Sequence, residues 1–91
     1  MPYTPTFKPS FFKDLKKLPK DIRERITLSI DRIIENPLSV SAKQLKGHSH
    51  IYRYRLGDYR LVYYIQHHRK KIMFLLVAHR KDIYKSLKKI T

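Results

Sequence analysis

Apolar residues recur at helical spacing through the first third of the chain and at strand spacing through most of its second half. "YTPTF" (Tyr3–Phe7) alternates as a short strand, and Pro2 and Pro5 confine it to a sheet edge or a strand start. Pro9-Ser10 then opens a helix in which Phe11, Leu15 and Leu18 share one face. Leu18-Pro19 breaks that helix, and Pro19 suits the first position of the next. Ile22, Ile26, Ile30, Ile33 and Ile34 form a core stripe there, with Asp21, Glu24, Arg25, Asp31, Arg32 and Glu35 mostly off it. Asn36-Pro37 ends the second helix, because a residue before proline is driven out of the helical region. The two helices are expected to form an antiparallel αα-hairpin with both apolar faces turned onto a sheet.

"PLSVSAKQLKGHSH" (residues 37–50) has turn formers and no sustained period, so it reads as a connection. Three strands are predicted after it: Ile51–Leu56, Tyr59–Ile65 and the continuously apolar Ile72–Ala78, which suits a central strand covered on both faces. Asp82 is placed to cap a short last helix with Ile83, Leu87 and Ile90 inward. The expected order is β-α-α-β-β-β-α, an α+β fold with the two N-terminal helices on a small, mainly antiparallel sheet. With 91 residues the chain is expected to be one domain, 1–91, with one modest core.

The second and third strands carry an unusual load. Leu56-Gly57-Asp58-Tyr59 is a tight-turn signal, with glycine where a type II′ hairpin needs positive φ. Symmetric pairing about that turn sets Arg55 opposite Arg60, Arg53 opposite Val62 and Tyr54 opposite Leu61. Alternation then gives a core face of Tyr52, Tyr54, Leu56, Tyr59, Leu61, Tyr63 and Ile65. The other face carries Arg53, Arg55, Arg60, Val62 and Tyr64. Opposed like charges cost a hairpin some tenths of a kcal/mol, roughly the size of one favourable cross-strand pair. No acid within these strands relieves them, since Asp58 is in the turn. An anion held bidentately by the guanidiniums would repay that cost.

Net charge extends the same argument. Lysine and arginine number 21 against 7 acids, a formal +14. Residues 1–35 hold eight bases and five acids, whereas residues 36–91 hold thirteen bases and only Asp58 and Asp82. So lopsided a field favours a polyanion, nucleic acid ahead of an anionic membrane surface, and seven tyrosines and four phenylalanines offer stacking faces. The absence of cysteine excludes a disulfide framework and a thiolate metal site. No apolar run reaches membrane-spanning length and the N-terminus lacks a signal-peptide core, so a soluble, cytoplasmic protein is expected. His48 and His50 have no acid near them and read as loop residues, and His67 and His68 read as solvated turn residues. No metal and no cofactor are expected.

"AHRKDIYK" (Ala78–Lys85) leaves the central strand and enters the last helix, a junction where sheet proteins often place chemistry. It adds Arg80, Tyr84 and His79 to the hairpin arginines, in an expected cationic pocket. "FFKDLKKLPKDIRERI", "LKGHSHIYRYRLGDYRLVYYI" and "AHRKDIYK" together resemble the RelE/ParE superfamily of toxins from toxin–antitoxin modules. The resemblance implies a RelE-like, metal-independent endoribonuclease that cuts mRNA in the ribosomal A site, held in check by a cognate antitoxin in a hetero-oligomer. By the same resemblance Arg60 and Arg80 hold the scissile phosphate, and Tyr84 stacks on or orients a nucleotide. Arg53 and Arg55 match two basic positions commonly filled by lysine. Lys46 and Lys81 are expected to add RNA contacts. Arginine effectively never loses its proton, so the departure at Arg53 and Arg55 leaves the general base open, with His79 as the substitute. The alternatives are a ParE-like inhibitor of DNA gyrase and a binding-only homologue.

Overall fold

The computed structural model describes residues 2–37 and 41–88. Leu38–Val40 of the expected connection and Ile90 of the expected last helix lie outside the described residues. The elements run β1 (Thr4–Phe7), α1 (Pro9–Lys16), α2 (Lys20–Glu35), β2 (Ala42–Gln44), β3 (Ile51–Leu56), β4 (Tyr59–Gln66), β5 (Lys71–His79) and α3 (Ile83–Leu87). The predicted α+β class and helix-strand order hold, with one addition. Ala42–Gln44, inside the expected connection, is a strand: β2 pairs antiparallel with β3 through Ala42↔Tyr54, Lys43↔Arg53 and Gln44↔Tyr52. Its three residues are too few to show a period of their own, and it exists because β3 offers it a ladder.

The sheet order is β1-β5-β4-β3-β2, antiparallel throughout except that β1 runs parallel to β5. Pro5 thus lies in an edge strand, as a residue without an N–H requires. Pro9 opens α1, and the Lys8 N–H donates to the Phe74 carbonyl at 3.0 Å, which pins the start of the helix to β5.

Both helices deliver their stripes to one face of the sheet. Phe11, Ile26 and Ile33 are buried with Leu61, Tyr63, Ile65, Ile72, Phe74 and Val77, and Leu15, Leu18, Ile22, Ile30 and Ile34 pack around them. The β3–β4 register is the one the turn predicts, including Arg55↔Arg60 and Arg53↔Val62. Along β5 the alternation breaks. Val62 pairs with Leu76 but Tyr63 pairs with Phe74, so Leu75 is an extra residue. The bulge lets Phe74 and Val77 both face the helices while Leu76 turns to the opposite face. There Val62, Leu76 and Ile83 form a second buried cluster, capped by α3. Asp82 precedes α3 but makes no side-chain capping bond, so the expected cap is absent. The helix is held by Ile83 and Leu87 instead. Among the described residues no helix is long and apolar enough to cross a membrane.

One core group is poorly served. The Tyr63 hydroxyl is buried and has no hydrogen-bond partner among the described residues, and burial, followed by Tyr52 and Tyr54, pushes its pKa up. Tyr63→Phe removes that unsatisfied oxygen while keeping the ring stacked on Tyr52, so we expect a gain of about 1 kcal/mol. The wild-type hydroxyl also ties stability to pH. Its folded pKa lies above the unfolded value of about 10, so its contribution is full below that pH and is lost as pH climbs toward the folded pKa. Thermal melts across the alkaline range should therefore fall more steeply for the wild type than for Tyr63→Phe.

Candidate RNA-binding site

The β3–β4 hairpin is closed by Gly57 at φ 59°, a left-handed conformation that glycine adopts without strain. Asp58, the other turn residue, has no positive φ, as a II′ turn requires. This tight turn fixes the register and so places Arg53, Arg55 and Arg60 on one face. β2 then lays Lys43 directly beside Arg53. The result is a cleft of about 430 Å³ lined by Ser41, Lys43, Arg53, Arg55 and Arg60, four cations without a carboxylate.

Arg60 is the most constrained of them. One terminal nitrogen donates to the carbonyls of Gly57 and Tyr59, each at 2.9 Å, which curls the guanidinium against the turn. Burial lowers its pKa most, and Arg55, Arg53 and Arg80 lower it further, while Asp58 acts the other way. A guanidinium keeps its proton at neutral pH regardless. The part of the shift that comes from Arg55, Arg53 and Arg80 is positive potential that a phosphate would relieve.

Arg80 approaches from the end of β5. Its N–H donates to the Asp58 carbonyl at 2.7 Å, and its Nε lies 3.7 Å from Asp58 Oδ1. Both side chains are more than half exposed, so this pair is easily exchanged for a better anion. The guanidinium of Arg25 of α2 lies about 4 Å from where a Gly57 side chain would begin but does not line the cleft.

A second cleft of about 460 Å³ adjoins the first and shares Lys43 and Arg53 with it. Tyr84 of α3 lines it, 69% exposed, together with Lys46 and His48. An exposed phenol ring beside cations is a stacking platform for a base. Lys81, in the turn after β5, is exposed and lines neither cleft.

His79 goes elsewhere. It pairs across the sheet with Tyr59 and meets that ring edge-on at 5.3 Å, so it sits on the helix-bearing face, away from Arg60. Its Nδ1 accepts the Lys81 N–H at 3.2 Å. The single pocket expected for Arg60, Arg80, Tyr84 and His79 is therefore not formed: Arg60 lines the first cleft, Tyr84 lines the second, Arg80 lines neither, and the imidazole faces away. Strand alternation carries the reason, since Arg60 pairs with Ala78 and the next residue must point the other way. His67 is likewise more than solvated, for its Nδ1 and the Tyr3 hydroxyl are hydrogen-bonded at 3.2 Å. Among the described residues no group of three or more histidine or carboxylate side chains converges as a metal site would require.

A profile of the family described as "ParE toxin of type II toxin-antitoxin system, parDE" matches residues 6–84. The chain is also 40% identical over 82 residues to toxin RelE3 of Methanocaldococcus jannaschii, spanning 86% of this chain and 91% of that protein. The chain belongs to the RelE/ParE superfamily of type II toxins. Within this superfamily it is RelE-like, a toxin of a RelBE-type module. The toxin of the RelBE2 toxin–antitoxin complex from Mycobacterium tuberculosis superposes with a TM-score of 0.78 at 32% identity, over 90% of this chain and 95% of that one. An arginine-to-alanine double variant of Escherichia coli RelE in the free state gives 0.79 at 25% identity, over the whole of both chains. The superfamily fold thus accounts for the sheet order and for both helical layers.

Lys43 is the functional candidate that sequence reasoning missed. The only signal that could have found it is its distance from Arg53, which places the two side by side once a second hairpin is assumed. The motif-bearing arginines needed no such assumption.

Proposed function

We propose that this RelE-like toxin is a metal-independent endoribonuclease that cleaves mRNA, acts in the ribosomal A site and so arrests translation in the cytoplasm. The observation that carries the reading is the cleft in which Lys43, Arg53, Arg55 and Arg60 meet without a carboxylate. Such a cleft binds a phosphodiester, and its charge matches the transition state better than the ground state. When the RNA 2′-oxygen attacks the adjacent phosphorus, charge accumulates on the phosphorane oxygens, and preorganised cations there supply the largest single term of catalysis. The P–O5′ bond then breaks, leaving a 2′,3′-cyclic phosphate and a 5′-hydroxyl. Arg60 and Arg80 grip the phosphate, Arg53 and Arg55 the flanking backbone, and Tyr84 stacks on a base.

The natural counterpart of a +14 surface is an acidic or amphipathic antitoxin segment laid over the arginines. The structural relative from M. tuberculosis is a toxin–antitoxin complex, which supports a hetero-oligomer here as well.

Adding the purified protein to a translating extract and mapping the RNA ends tests the activity. Cuts within open reading frames, with 5′-hydroxyl and cyclic phosphate ends, are the expected result. Ends bearing a 5′-phosphate would contradict the mechanism. The matched family description names ParE toxins, so gyrase supercoiling is measured in parallel. Blocked supercoiling with no RNA cuts would transfer the function to a gyrase inhibitor.

A further inference from the structure

The geometry points to Lys43 as the general acid that protonates the leaving 5′-oxygen, a role that rests on the ribonuclease reading above. Three of the four cations in the phosphate cleft are guanidiniums, which do not give up a proton. Lys43 is the exception. An ammonium carries three rotatable donors on a flexible stem and, unlike a guanidinium, exchanges its proton readily. An alkoxide leaving group is far more basic than an amine, so proton transfer from lysine to the departing oxygen runs downhill.

Position supports the assignment as strongly as chemistry. Lys43 is the partner of Arg53 in the β2–β3 ladder, so its side chain rises from the arginine face. It lines both the phosphate cleft with Arg55 and Arg60 and the adjoining groove with Tyr84. A strand with its scissile phosphate in the first cleft and a neighbouring base on Tyr84 passes Lys43 at the boundary between them. The other proton carriers are less well placed. His48 and Lys46 line only the groove, and His79 points to the opposite face.

The step balances without a co-reactant. The 2′-hydroxyl gives its proton to solvent and forms the new O–P bond, while the P–O5′ bond breaks and its electron pair takes the proton from Lys43 Nζ. Water then reprotonates the amine. Net, one proton moves from the 2′-oxygen to the 5′-oxygen.

The test uses Lys43→Arg, Lys43→Gln and the unaltered toxin on programmed ribosomes, with two mRNAs. One is ordinary RNA, and the other carries a sulfur in place of the bridging 5′-oxygen at the cut site. A thiolate leaves without protonation, so its cleavage reports folding, binding and phosphate stabilisation while bypassing the acid. On ordinary RNA both variants should lose on the order of 10²–10³ in single-turnover rate, within the range of general acid–base catalysis. On the thio substrate Lys43→Arg should approach the unaltered toxin, and Lys43→Gln should keep only the smaller loss that its missing charge causes. A near-normal Lys43→Arg rate on ordinary RNA would show that only the charge matters and would overturn the role. Equal losses on both substrates would overturn it too, since they signify a fold or binding defect. If the unaltered toxin cuts neither RNA, the ribonuclease reading itself falls. If it cuts both and the variants match it, only the role of Lys43 falls.

Discussion

Arg60→Ala should lower the rate of RNA cleavage by on the order of 10²–10³, the loss typical of removing one donor from an anion-stabilising site. The structure explains why no neighbour can replace it. Its guanidinium is already held by the Gly57 and Tyr59 carbonyls, so no conformational freedom has to be lost when the phosphorane forms. Arg55 and Arg53 sit close enough to lower its pKa, but among the described residues only Arg60 is tied to the turn carbonyls. Arg60→Lys keeps the charge and loses the planar fork, and should recover only part of the rate. Arg80→Ala should fall at the lower end of the same range, because its side chain is mostly exposed and partly engaged by Asp58. Tyr84→Phe should be milder than Tyr84→Ala, since the ring is what the groove presents. Single-turnover kinetics on programmed ribosomes would rank all five. A uniform small effect across them would refute a phosphate-centred site.

Phe74→Ala should destabilise the fold by about 3–5 kcal/mol, as large aromatic truncations in packed cores do. Phe74 is fully buried where β1, α1 and β5 meet. It stacks on Phe7 with centroids 5.4 Å apart and contacts Phe11 at 6.2 Å and Tyr63 at 5.7 Å. Domains of this size are stable by roughly 5–13 kcal/mol, so the substitution removes about a quarter or more of the total. Thermal melting should drop by at least about 12 °C, from the scaling for small domains. A fall of only a few degrees would mean that neighbouring rings close the cavity, and the estimate would fail.

Much of this architecture is local in origin, and for that reason it is readable from the chain. The isoleucines of α2 repeat at helical spacing, Pro9 and Pro19 mark two helix starts, and Gly57 is a turn residue whose position alone fixes the β3–β4 register. That register is what gathers Arg53, Arg55 and Arg60, so the heart of the cleft follows from fifteen consecutive residues. Family motifs extended the reading to Arg80 and Tyr84, where no local rule would have singled them out.

What lay beyond reach depends on partners distant in sequence. β2 is a strand only because β3 offers it hydrogen bonds, and Lys43 enters the cleft only because of that pairing. The parallel union of β1 with β5 joins residues more than sixty positions apart, and no local pattern announces it. Leu75 looks like any other apolar residue in "IMFLLVA", yet as a bulge it decides which of its neighbours face the helices. His79 shows the same limit beside the cleft: chain proximity to Arg80 suggested a shared pocket, but pairing with Tyr59 turned it to the far face. Periodicity and turn chemistry act over a few residues, so the sequence by itself determined the helices, the hairpin and its three arginines. Ladder pairing and bulges are settled only when distant segments compete for the same hydrogen bonds, so the tertiary structure alone decided that a lysine joins the cleft and a histidine turns away from it.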